Sequence, residues 1–310
     1  KDICVGSGIS LYGSKAFSLS VAEQVLPNNA LIGICDIYDK LFLYCPAELL
    51  DGAFLRRYIR FFTSFKPQKI AAVFSDNDIK KLSLKRLAAF ADRLLAGGIR
   101  QFCIPQGTAQ KGTDGKKAQI LKKYIQNTAA LLDTGERISD VLAIYPYSSA
   151  AGNFCANNIG AVKEFNTVTQ KGIDLLNRAD ILYDVASERS LGQEIKISGA
   201  LISAANNKYT CLVLLPCDTL TPTAAGFILK YTENGGRGYC IGEKPLLIDG
   251  VQNSRIDEIS QRIKRIGAKE ISQLRAERTP LFDDNGIDVY CCKLPDGSKL
   301  SFAANINGDS

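Results

Sequence analysis

Lys69-Ile-Ala-Ala-Val-Phe74, followed at once by Ser75-Asp76-Asn77-Asp78, is the stretch on which the fold turns. An apolar run of strand length that ends in polar turn formers reads as a buried strand. Downstream, Leu84, Leu87, Phe90 and Leu94 recur at helical spacing from Ser83 to Ala96, and Gly97-Gly98 stops that helix. Ile99-Arg-Gln-Phe-Cys-Ile104 is the next strand, broken by Pro105. Upstream, Ala30-Leu-Ile-Gly-Ile-Cys35 reads as a strand ending at Asp36. A helix over Ala47 to Phe62 then sets Leu49, Leu50, Phe54, Tyr58 and Phe61 on one face. Strands that alternate with helices in this way imply right-handed crossovers and a parallel sheet.

The Gly- and Lys-rich stretch Gln106 to Lys117 reads as a mobile loop, followed by a helix from Ala118 to Leu132. A second α/β region begins at Asp140. Its expected strands are Val141–Tyr145, Ile181–Asp184, Tyr209–Leu215 and Gly238–Ile241, with a helix over Ile159 to Asn177. Thr221 is placed as the N-cap of a further helix with Pro222 at its first position, and Gly235-Gly236 follows that helix. This pattern predicts an open flavodoxin-like sheet. The tail from Asp288 to Asn305 alternates around Asp296-Gly297, a hairpin signal.

Composition restricts the chemistry. The 310 residues include no His, Met or Trp. Without imidazole there is no Ser-His-Asp or Cys-His relay and no His-liganded metal, so acid–base work falls to Asp, Glu, Lys, Tyr or Cys. A chain that starts at Lys1 and lacks Met reads as an excised or recoded segment of a longer protein. Hydrophobic content of 46% with 23% charged residues describes an ordinary globular protein, long enough for two domains. The net charge of +6 is mild, and Lys80, Lys81, Lys85 and Arg86 read as a solvated helix face, so no nucleic-acid partner is expected. No run is long and apolar enough to span a membrane, and no signal-peptide layout or N-x-S/T sequon is present. The ten cysteines form no C-x-x-C pair and sit mostly in apolar runs. Small buried thiols in a reducing, cytoplasmic setting are expected.

Several segments, taken in order, resemble the multidomain glycoside hydrolases of the α-L-rhamnosidase type. They are Phe54-Leu-Arg-Arg-Tyr58, Lys69 to Ser75, Phe90 to Phe102, Asp140-Val-Leu-Ala-Ile-Tyr-Pro146, Ile181 to Glu188, Tyr209 to Pro216, Gly235-Gly236 and Leu300 to Asn305. The resemblance implies an α/β fold in three parts. Residues 1–136 would be a partial (β/α) barrel-like parallel sheet of the TIM barrel. Residues 137–280 would be a class I glutamine-amidotransferase-like domain, and 281–310 the start of a β-sandwich. It also implies a carbohydrate substrate or ligand, no cofactor and no metal, and a subunit-contact role for the amidotransferase-like domain. Two positions depart from the family pattern: Ala72 stands where a Glu is common, and Pro105 with Gln106 where a His is common.

Ligand-facing residues of a barrel sit at the carboxyl ends of its strands. Asp36, Asp76 and Asp78 are therefore the catalytic candidates for carboxylate cleavage of a glycosidic bond, and Tyr38, Asn77 and Gln106 the substrate-binding ones. Asp and Asn also follow strands simply because they begin turns and cap helices. Phe74 reads as core, whereas Tyr38 is expected to be an exposed platform. Cys217 follows a strand, but glutaminase chemistry is excluded without His. A non-catalytic carbohydrate-binding or scaffold protein on the same fold is the alternative, and a two-lobed small-ligand binder is the third reading.

Overall fold

The computed structural model describes residues 41–44, 70–74, 76–104, 112–153, 160–179, 181–204, 207–274 and 287–305. These form two compact units, one holding the described residues up to Arg137 together with those from Ile287 onward, the other holding the residues between.

In the first unit, β1 (Leu41–Tyr44), β2 (Ile70–Val73) and β3 (Gln101–Cys103) form a parallel sheet in that order. Register pairs Leu43 with Ala72 and Ala72 with Phe102. Helix α1 (Asp76–Lys81) starts almost directly after β2, and α2 (Leu84–Ala96) follows. The Ser83 side chain caps α2 by accepting from the Arg86 amide, and Gly97 closes it. Phe74 lies 2% exposed under these helices. Its ring meets Phe90 edge-on at 5.5 Å and stacks on Phe102 at 6.3 Å, so it is core as expected.

Helix α3 (Gly112–Leu132) begins six residues before the expected Ala118, correcting the loop reading of residues 112–117. Gly112 takes a φ of +81°, which turns the chain into the helix. Lys117 then reaches across to donate to the carbonyls of Ile79 and Leu82, satisfying the end of α1. The Gly/Lys composition disguised this first turn as loop.

The second unit is built on an open sheet of five parallel strands: β4 (Val141–Tyr145), β5 (Tyr183–Ser187), β6 (Cys211–Leu214), β7 (Arg237–Ile241) and β8 (Lys264–Ile266). Their order across the sheet is β8-β7-β6-β4-β5. Helices α4 (Tyr147–Gly152) and α5 (Gly160–Arg178) connect β4 to β5. Helix α6 (Pro222–Glu233) connects β6 to β7, and α7 (Ser254–Arg262) connects β7 to β8. Thr221 caps α6 as expected, accepting from the Ala224 amide at 3.2 Å. Gly236 is obligatory, since a Cβ there would stand 2.3 Å from the ring of the fully buried Tyr231.

Two strand readings are corrected here. The strand expected at Ile181–Asp184 runs instead over Tyr183–Ser187. The run Tyr209–Leu215 is split at Thr210, whose amide donates to the Asp140 carbonyl. Its first part joins a small antiparallel sheet of Ile195–Ser198, Leu201–Ala204 and Asn207–Tyr209, which the sequence reading did not contain. Asp184, fully buried on β5, anchors that sheet by accepting from the Tyr209 hydroxyl at 2.9 Å and the Asn207 side-chain Nδ2 at 3.1 Å.

The last described residues form the expected antiparallel hairpin, β9 (Ile287–Lys293) and β10 (Lys299–Asn305), turning at Asp296-Gly297. The hairpin belongs to the first unit. Tyr290 and Cys292 pack with Leu95, Ala129 and Leu132, and Arg93 donates to the Asn305 carbonyl. Arg100 lies 4.4 Å above the Tyr290 ring, a cation–π contact that ties the hairpin to the turn after α2.

Candidate functional site

The first unit offers the carboxyl end of β2. Asp76 opens α1, Asn77 is exposed, and Asp78 is 8% exposed with its carbonyl accepting from the Leu82 amide. One turn at the start of α1 holds these three consecutive candidates. It also serves the ordinary purpose of starting a helix. Asp36, Tyr38 and Gln106 lie outside the described residues. The strands beside β2 are Leu41–Tyr44, which the sequence reading did not contain, and Gln101–Cys103, while the strand expected at Ala30–Cys35 lies outside the described residues. Ala72, at 1% exposed, stands between Leu43 and Phe102 at the centre of the sheet.

The second unit has its own focus. The chain leaves β4 towards β5 on one side, and β6 leads to β7 on the other, so the carboxyl ends of β4 and β6 form the switch point where open α/β sheets bind ligands. Polar groups converge there. The Ser149 hydroxyl donates to the Thr219 carbonyl at 2.9 Å and accepts from the amides of Asp218 at 3.0 Å and Thr219 at 2.9 Å. The Ser148 hydroxyl donates to the same carbonyl at 3.0 Å, and the Thr219 hydroxyl accepts from the Gly250 amide. Glu188 is 0% exposed and accepts from the amides of Ser148 and Thr221. Burial raises its carboxyl above the ordinary value, against those donors.

Cys217 sits beside this cluster, 6% exposed, and burial pushes its thiol well above the ordinary value. The thiol therefore stays protonated and is no nucleophile. Cys240 is likewise buried and raised. Among the described residues, no group of three Cys, Asp or Glu side chains could hold a metal, and no helix is long and apolar enough to cross a membrane.

Glu188 and Ser149 are the residues that sequence reasoning missed. A strand placed two residues early made Asp184 look like the strand tip and left Glu188 in the following turn. Ser148-Ser149 directly after Pro146 was the available signal. Ser149→Ala is expected to cost about 1–3 kcal/mol, because the buried Thr219 amide loses its acceptor. Urea unfolding checks this, and a loss near zero would show that the hub is dispensable.

No protein-family model matches the sequence, and no curated protein matches it. Solved structures do. The rhamnosidase from Novosphingobium sp. PP1Y superposes with a TM-score of 0.56 at 13% identity, over 85% of this chain and 28% of its own. Gan42B, a GH42 beta-galactosidase from G. stearothermophilus, gives 0.49 at 13% identity, over 73% of this chain and 37% of its own. The chain thus spans well under half the length of either protein. At such identity the likeness concerns the fold alone, which this chain shares with part of the rhamnosidase.

Proposed function

We propose that this chain is a segment of a glycoside hydrolase that cleaves a glycosidic bond with paired carboxylates. The observation that carries this reading is the superposition on the rhamnosidase, which takes in most of this chain. Asp36, Asp76 and Asp78 supply the acid and the base or nucleophile, and Tyr38, Asn77 and Gln106 bind the sugar. Asp76 leads the set because it follows β2 at the carboxyl end of a parallel sheet, the end where barrels assemble their sites. Carboxyl groups about 5 Å apart would retain the anomeric configuration, and about 6.5–9.5 Å would invert it. In this reading the second unit is an amidotransferase-like domain that supports the structure or contacts another subunit. The hairpin β9–β10 begins a β-sandwich.

The buried Ala72 favours a second reading, in which the same fold binds carbohydrate without cleaving it. A panel of 4-nitrophenyl glycosides separates the two. Release of nitrophenol above the buffer rate supports cleavage. Saturable binding without release assigns the second reading, and neither binding nor release overturns both.

A further inference from the structure

The cations that read as a solvated face in the sequence crowd one rim of the first unit. β2 and β3 run parallel, so α2, which joins them, starts near the carboxyl end of β2 and runs back towards the start of β3. α1 lies between β2 and α2, belongs to the same end, and carries Lys80 and Lys81 in its last turn. Lys85 and Arg86 follow in the first turn of α2, and all four side chains are exposed. Lys117 donates to the carbonyls of Ile79 and Leu82, which holds the start of α3 against the end of α1, with the exposed Lys116 beside it in the chain. Acidic residues on these turns are fewer. They are Asp76, the buried Asp78, and Asp114, which pairs with Lys117 at 3.4 Å. Lys80, Lys81 and Lys116 have no ion-pair partner among the described residues.

Helix stability accounts for only part of this pattern. Lys80 and Lys81 suit the carboxyl end of α1, but Lys85 and Arg86 stand at the positive end of α2, whose first turn holds no acid. Their charge adds to that of the helix dipole, which costs folding and favours any negative group that settles there. The carboxyl end of a parallel sheet is also where barrels gather ligand-facing residues, and Asp76 opens α1 at this end.

We propose that this rim binds a saccharide carrying negative groups, carboxylate or sulfate, with Lys80, Lys81, Lys85, Arg86 and Lys116 receiving them. Such binding rests on the sugar reading above and narrows its ligand to acidic saccharides. Neutral ring hydroxyls gain little from clustered cations, whereas each acidic group gains charge-assisted hydrogen bonds.

Calorimetric titration of the full chain with trigalacturonate, a sulfated galactotriose and neutral galactotriose tests this. The better acidic ligand should bind about tenfold or more tightly than galactotriose at low salt, and it names the acidic group. Raising the ionic strength from about 0.01 M to about 0.15 M shortens the screening length from about 30 Å to about 8 Å, and should weaken the acidic ligand alone. Lys80→Gln, Lys81→Gln and Lys116→Gln combined should weaken that ligand by about tenfold and leave galactotriose as it was. Should this variant fail to fold, the salt dependence of the unaltered chain decides. Equal affinity for acidic and neutral ligands, affinity indifferent to salt, or unchanged affinity in the folded variant would each overturn the proposal and leave the sugar reading standing. Inorganic polyphosphate binding as tightly as the acidic sugar would also overturn it, because the rim would then hold any polyanion. Binding of none of the saccharides removes both readings.

Discussion

Asp76→Asn is expected to lower glycoside turnover by about 10²–10⁴-fold, the usual contribution of a positioned acid or base. The change removes a proton-transfer group while keeping size, and Asn begins helices about as well as Asp. α1 should therefore form unchanged, and hydrogen exchange in α1 and α2 should match the unaltered chain. The loss should appear in kcat with KM little moved, because the interaction belongs to the transition state. Asp78→Asn carries a different expectation. Asp78 is buried, so this replacement should also disturb local stability. Unchanged turnover in both Asp76→Asn and Asp36→Asn would remove the sugar-cleaving assignment.

Phe74→Ala is expected to destabilise the first unit by about 3–5 kcal/mol, the range for deleting a buried aromatic ring. Phe74 joins the end of β2 to α2 through Phe90 and to β3 through Phe102. Removing it leaves a hole on which two rings lose their partner, directly beside the Asp76 turn. Equilibrium urea unfolding, read from exchange in α2 and α3, measures the loss. Phe74→Leu keeps most of the apolar volume and should cost markedly less. A cost below about 1 kcal/mol for Phe74→Ala would mean that the three rings are not the core of this unit.

Where local chemistry marks an element's ends, the sequence was readable. Ser83 and Gly97 bracket α2, Thr221-Pro222 opens α6, and Asp296-Gly297 turns the hairpin. Fully buried strands lack such marks on both faces. The apolar run Ile181–Tyr183 leads into β5 before the strand proper, so periodicity could not fix where β5 ended. That slip hid Glu188 and, with it, the polar cluster of the second unit. The antiparallel sheet over 195–209 was missed because its strands are only three or four residues long. Of the candidate residues, only the position of Asp76, Asn77 and Asp78 after β2 was legible, because a strand ended in consecutive polar residues. The strand Leu41–Tyr44 beside β2 escaped notice because it is only four residues long.

The described residues of the first unit come from two stretches of chain, with the described residues of the second unit between them in sequence. A ribosome therefore delivers the second unit whole before it delivers the hairpin that covers Leu95, Ala129 and Leu132. Throughout that interval those side chains lack the cover of Tyr290 and Cys292, so the unit that emerges first is the one that finishes last. A chain cut short of Ile287 should therefore leave this patch uncovered.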